Sequence, residues 1–347
     1  MIAPSSHAPF DDYRGRRVLV TGGLGFIGSN LARRLVDLGA EVRILDALVA
    51  EMGGTLHNVD GFADRLAIRI ADMREWDPTT LAVDGCDIIF NLAGQVSHID
   101  SLRDPRGDLG INVDAQLQLL DVLRHHNPRA RVVFTSTRHV YGRAQRVPVD
   151  ETHPIHPPDV NAINKVTAEA YHRLYQEIFG IPSSILRLTN VYGPRQLIRH
   201  NRQGFIGWFV RLAMEDREIE VYGDGSQQRD LLFVDDAVEA LLLVGLSEAC
   251  VGRTLNVGGP EPIAHRDLVK RLIAAAGTGR ARFVDWPADR KAIDVGSVWL
   301  DSTRLHEATG WQPRTSLDEG LARTVAYYRP RLAAYCAPAG AGEIELA

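Results

Sequence analysis

Eight consecutive residues, Thr21-Gly22-Gly23-Leu24-Gly25-Phe26-Ile27-Gly28, constrain this 347-residue chain more than any other stretch. A short apolar run, Arg17 to Thr21, precedes them. They open into Gly25 to Leu38, where Ile27, Leu31, Leu35 and Leu38 recur at helical spacing and Gly39 is placed to end the helix. Strand, glycine turn and helix in that order predict the start of a β-α-β unit, and the run contains both G-x-x-G-x-x-G and G-x-G-x-x-G. Glycines at this point permit a tight turn and let backbone amides approach a pyrophosphate, which the positive end of the helix dipole then faces.

Further apolar runs at Glu41 to Asp46, Leu66 to Ala71, Asp87 to Leu92, Arg131 to Ser136 and Ser183 to Leu188 alternate with amphipathic stretches. That alternation predicts an α/β fold with a doubly wound parallel sheet. After Tyr192-Gly193-Pro194, turns such as Gly223-Asp224-Gly225 and Gly258-Gly259-Pro260 separate shorter elements, as in a smaller α+β lobe. The expected organisation is a nucleotide-binding domain over 16–190 and a lobe over 191–330 that interleaves with it. The ends, 1–15 and 336–347, are expected to be disordered.

Composition excludes several classes. With 45% hydrophobic and 24% charged residues, 44 acids against 39 bases and a net charge of -5, the chain is globular and lacks the basic footprint of a nucleic-acid binder. No stretch approaches the roughly 20 apolar residues of a membrane span, and the first 15 residues lack the order of a signal peptide, so a cytoplasmic protein is expected. Cys86, Cys250 and Cys336 are widely spaced, and the pairs His125-His126 and His153 with His156 have no third ligand nearby. No metal or disulfide is expected.

Asp46 ends the second strand 18 residues after Gly28, where a carboxylate accepts hydrogen bonds from an adenosine ribose and repels a 2′-phosphate. NAD is therefore expected over NADP, cradled by Gly22, Gly25, Phe26, Ile27 and Gly28. Asp72 and Met73 follow the third strand at the adenine end, and Leu92, Ala93 and Gly94 present small residues where a cofactor would cross the sheet edge.

With Asn91-Leu92-Ala93-Gly94, Ser136-Thr137-Arg138-His139-Val140-Tyr141-Gly142, Lys165, Arg187-Leu188-Thr189-Asn190-Val191-Tyr192-Gly193-Pro194, Arg229-Asp230 and Gly310-Trp311, the chain resembles the extended short-chain dehydrogenase/reductases that act on nucleotide sugars. UDP-glucose 4-epimerases and dTDP-glucose 4,6-dehydratases are members, and the resemblance covers about residues 16 to 328. It implies an NAD-binding Rossmann domain, a lobe that holds a nucleoside diphosphate sugar, and transient oxidation of that sugar. Epimerisation is the expected outcome; dehydration, 4-ketoreduction, or binding without turnover are the other readings.

By resemblance Arg229 grips the diphosphate, with Asn190 nearby and Arg290 or Lys291 as a further cation. A guanidinium suits that task because it offers two parallel hydrogen bonds. The stretch Arg195 to Arg202 reads either as a basic flap over the phosphates or as a solvated loop, and His98 lies in the loop that follows the fourth strand, a segment that by resemblance runs along the sugar.

The family's base is the tyrosine of Tyr-x-x-x-Lys. Lys165 and Thr137 are in place, but Asn161 stands four residues before Lys165, on the same helix face, and a carboxamide has no titratable proton. The dehydratases carry an acidic pair where this chain has Arg138 and His139. His139, which titrates near neutrality, is the candidate base, with Thr137 orienting the hydroxyl; Tyr141 or a water is the other candidate. Finally, the helices containing Ala115 to Leu123 and Asn161 to Tyr175 show apolar residues over more than one stripe, and by resemblance pair into a homodimer.

Overall fold

The computed structural model describes residues 10–49, 51–287, 291 and 294–337. The chain runs β1 (Arg17–Thr21), α1 (Phe26–Asp37), β2 (Glu41–Asp46), β3 (Leu66–Ile70), α2 (Trp76–Val83), β4 (Ile88–Asn91), α3 (His98–Arg103), α4 (Pro105–Leu109), α5 (Ala115–His126), β5 (Arg131–Thr137) and α6 (Val160–Phe179). It continues through β6 (Ser183–Leu188), β7 (Asn190–Tyr192), α7 (Phe205–Met214), β8 (Glu218–Tyr222), β9 (Gln228–Phe233), α8 (Val234–Leu246), β10 (Thr254–Val257), β11 (Pro262–Ala264), α9 (His265–Ala276) and β12 (Arg280–Val284).

Seven parallel strands form the central sheet in the order β10-β6-β5-β4-β1-β2-β3. All six strands expected from the sequence pair in it. Such a sheet is covered on both faces, so its inner strands are buried throughout rather than alternating, as Val132 to Ser136 of β5 are, while the edge strand β3 stays largely exposed. Helices α1 and α8 cover one face and α2, α5 and α6 the other, around cores centred on Leu31, Leu35 and Leu241 and on Leu119, Leu120 and Leu123. The order reverses between β1 and β4, paired as Thr21 with Asn91, and the loops leaving these strands part to open a crevice at their carboxyl ends. A three-stranded sheet (β11-β9-β7) and a two-stranded one (β12-β8) build the second lobe, while β10 and α8 return to the first.

The termini depart from the expected disorder. Tyr13 is fully buried, its hydroxyl donating to Leu242 O at 2.7 Å beside Phe90, so residues 10–15 are part of the fold. Tyr13 seated in its slot and Phe10 packed against the core anchor a stretch whose other residues are Asp11, Asp12, Arg14 and Gly15. At the other end a helix spans Leu332–Cys336, Tyr335 donates to Asn58 Oδ1 at 2.7 Å, and Arg199 donates to Ala337 O at 2.8 Å. Among the described residues, no helix is long and apolar enough to cross a membrane.

Candidate active site

The glycine turn is built for close approach. Gly22 has a positive φ of 66°, and a Cβ on Gly28 would lie 2.2 Å from Gly22 O, so neither position accepts a side chain without moving backbone. The turn brings the first residues of α1, Phe26 and Ile27, to the crevice. At the end of β2 the Asp46 carboxylate accepts from Leu24 N at 3.0 Å and Leu48 N at 2.9 Å. Burial raises its pKa and these two amides oppose the rise. Met73, Leu92, Ala93, Gly94 and Asp72 continue the lining, although Arg74 grips both oxygens of the Asp72 carboxylate.

Lys165, on α6, reaches the same crevice. Among the described residues its Nζ makes a single hydrogen bond, 3.3 Å to Thr135 O, and burial brings the ammonium down to about 8 while Asp108 and Glu169 resist. A Cβ on Gly94 would sit 2.9 Å from that Nζ and 2.8 Å from Asn112 Oδ1, a buried acceptor without a partner among the described residues. Unused donors and an orphaned acceptor converging on a glycine fit the ribose hydroxyls of a dinucleotide.

Asn161 is 2% exposed, and its Nδ2 donates to Gln95 O at 2.7 Å and to Asp108 Oδ2 at 3.1 Å. Asn112 and Asn164 donate to the other Asp108 oxygen at 3.1 and 2.7 Å. The carboxamide thus closes a buried knot around Asp108, a residue that no sequence motif singled out.

His139 follows Thr137 at the end of β5, and Thr137 Oγ1 caps the turn by accepting from His139 N at 3.1 Å. Its Nε2 lies 2.9 Å from Asp159 Oδ2, the N-cap of α6, and His98 Nδ1 lies 2.9 Å from the same oxygen. The two imidazoles are 3.9 Å apart between centroids. Burial pulls His139 down to about 4, against the pull of Asp159. Burial alone would raise the Asp159 carboxyl, but the two imidazoles and Ala162 N–H outweigh it and hold it far below the carboxylate range. The ligand-type atoms of His98, His139 and Asp159 fall within 4.8 Å of one another, a trio assembled from three segments that spacing along the chain does not reveal.

Two candidates move out of the site. Tyr141 is fully buried, donating to Asn256 Oδ1 at 2.7 Å and accepting from Arg187 at 2.9 Å. Arg195 is 8% exposed and donates to Asn58 O and Asn30 Oδ1, both at 2.8 Å, so it ties its own segment to α1 and to the turn at Asn58 instead of meeting a ligand. The rest of its stretch is neither a free flap nor a solvated loop, because Arg199, His200 and Arg202 all pair with Glu51.

The remaining substrate candidates gather where the two lobes meet. Arg229 donates to Asp294 at 2.8 Å and to Gly296 O at 2.8 Å, and Arg138, brought down to about 10 by burial and by neighbouring Arg229, reaches Asn190 Oδ1 at 3.5 Å. Arg290 lies outside the described residues; Lys291, its stand-in, is exposed. One cavity of about 1210 Å³ joins Gly22, Asp46, Lys165, Thr137, His98 and Arg229. It also takes in His265, missed by the sequence, which is 8% exposed with neither ring nitrogen bonded among the described residues.

A doubly wound sheet with a glycine cradle at its switch point, a buried lysine in the same crevice and a second lobe closing the cavity defines a dinucleotide-dependent enzyme. The model of the NAD dependent epimerase/dehydratase family matches residues 18–258, and the chain belongs to that family, with NAD as its cofactor. It is 34% identical over 314 residues to the UDP-glucose 4-epimerase of Mycolicibacterium smegmatis, spanning 90% of this chain and 98% of the relative. The UDP-glucose 4-epimerase of Thermotoga maritima, solved with UDP-glucose, superposes with a TM-score of 0.83 at 29% identity, covering 91% of this chain and 99% of that one. The dTDP-glucose 4,6-dehydratase of Streptomyces venezuelae, solved with NAD, gives 0.82 at 29% identity, covering 91% and 97%.

Proposed function

We propose that the protein epimerises a nucleoside diphosphate sugar by oxidising one sugar carbon and reducing it again from the other face. The observation that carries this reading is the continuous cavity from the NAD cradle, past Thr137 and Lys165, to Arg138 after β5 and Arg229 in the wall of the second lobe. A dinucleotide fills the first part, and a diphosphate suits the two guanidiniums at the far end. The bound cofactor supplies a reversible hydride acceptor. Lys165 holds its ribose, Thr137 orients the sugar hydroxyl, and Arg229 with Asn190 holds the diphosphate. Arg138 and His139 where dehydratases carry an acidic pair support epimerisation over dehydration. Asn161 favours a second reading, a sugar-nucleotide-binding protein without turnover.

Titration calorimetry with UDP, dTDP, CDP and GDP sugars, followed by product analysis, tests both. Binding with a reduced-nicotinamide signal and a new stereoisomer is expected. Binding without either selects the second reading, and no saturable binding rejects both. We further place the protein in the cytoplasm, which its three free cysteines suit. A homodimer through α5 and α6 is supported by Ile163, Leu174 and Ile178, which leave one stripe of α6 exposed by 50%, 46% and 64%.

A further inference from the structure

Resting on the epimerase reading, we propose that His98 is the base that takes the sugar hydroxyl proton in place of the missing phenol, with Asp159 and His139 as the residues that position it. Between the two imidazoles the geometry separates the roles. His98 presents Nδ1 to Asp159 Oδ2 at 2.9 Å. The 1,3 arrangement of imidazole nitrogens then turns Nε2 away from that carboxylate, and the ring lines the cavity with 35% of its side chain exposed. The approach of Asp159 is an ion-pair distance and not an aligned hydrogen bond, and a carboxylate beside Nδ1 with Nε2 turned away favours the tautomer that leaves Nε2 to accept a proton. His139 is turned the other way: its Nε2 is committed to Asp159 and its side chain is only 10% exposed.

Asp159 is suited to the supporting role. Its side chain is 1% exposed, Oδ1 accepts from Ala162 N at 2.9 Å, and Oδ2 faces both imidazoles. The carboxylate faces the imidazolium that His98 becomes on taking the proton. His139 stays neutral beside it, as its burial requires. Asn161 explains why the loop can reach this position. From the helix position of the missing tyrosine it donates to Gln95 O at 2.7 Å, and Asn112 donates to the same oxygen at 3.1 Å. The anchored loop continues to Ser97, whose hydroxyl accepts from Asp100 N at 3.1 Å and caps α3 with His98 as its first residue. Exchanging a phenol for a carboxamide thus removes one base and fixes the segment that carries another.

The step balances. The sugar O–H bond breaks and an N–H bond forms on His98 Nε2, while the electron pair of the adjacent C–H bond leaves as hydride for the nicotinamide and the carbon becomes a ketone. Reversal on the opposite face returns both, so sugar, cofactor and His98 end as they began.

The test uses the NAD-loaded enzyme and whichever nucleotide sugar the wild type converts, and wild-type turnover separates failure of this inference from failure of the epimerase reading. His98→Gly is expected to lower kcat by about a hundredfold or more with KM little changed, and added imidazole to restore part of it. Asp159→Asn keeps an N-cap but removes the charge, and is expected to lower kcat without raising KM. Independently of turnover, nitrogen-15 NMR of wild type and His98→Gly is expected to show a signal from a His98 imidazole protonated on Nδ1. Near-wild-type kcat in His98→Gly overturns the proposal. So does a His139→Asn variant that loses turnover which His98→Gly retains, an Nε2-protonated His98, or stoichiometric metal whose removal by chelator abolishes activity.

Discussion

At the scale of single residues, Asp46 and Asn161 carry separable consequences. The Asp46 carboxylate already organises the turn through Leu24 N and Leu48 N, leaving its outer lone pairs for the adenosine ribose. Asp46→Ala is therefore expected to weaken NAD binding by about 1 to 2 kcal/mol, the size of a charge-assisted hydrogen bond. Calorimetric titration of NAD and NADP against both forms checks this, and tighter NADP binding by the unmodified protein would contradict the assignment. Asn161→Tyr restores the family's phenol on paper only. The larger ring has to displace the contacts to Gln95 O and Asp108, so the variant is expected to gain no turnover and to unfold at a lower temperature than wild type.

At the scale of elements, the glycine turn and the start of α6 act as units. A Cβ on Gly28 meets the Gly22 carbonyl and the Gly23 Cα at under 3 Å, and α1 must move off the turn after β1 to admit it. Gly28→Ala is accordingly expected to abolish NAD retention during purification, read by the absorbance of the released cofactor. Asp159 both caps α6 and faces two imidazoles, and two substitutions divide those roles. Asp159→Ala should cost about 1 kcal/mol more in urea unfolding than Asp159→Asn, because only the alanine loses the cap.

At the scale of the whole molecule, buried imidazoles set a pH dependence. Burial holds His139 at about 4, His172 at about 3 and His265 at about 4, against 6.5 for an unperturbed ring. Below the unperturbed value the unfolded chain binds protons that the folded chain refuses, so stability falls as pH drops from about 6.5 toward 4. The loss is at most about 1.4 kcal/mol per pH unit for each ring. Urea midpoints measured at neutral pH and about two units lower should show it, and equal midpoints would mean that the rings become charged inside the fold. The exposed stripe of α6 makes a second prediction: Leu174→Glu with Ile178→Glu should convert a dimer to a monomer in light scattering, leaving the helical circular dichroism unchanged.

What the sequence determined by itself was whatever is written in neighbouring residues. The strand, glycine turn and helix at Arg17 to Leu38, the acid after β2, and the shared face of Asn161 and Lys165 follow from backbone geometry over a few residues, so their order along the chain is enough to read them. Only the tertiary structure decided that Tyr13 fills a slot, that Arg195 and Tyr141 satisfy buried neighbours instead of a ligand, and that Asp108 gathers three amides. It alone brought His98, Asp159 and His139 together from three separate segments. Apart from Asn112 on Asp108, these pairings join residues tens to hundreds of positions apart. They are chosen by packing and by the demand that every buried polar group find a partner, and no local pattern records that demand.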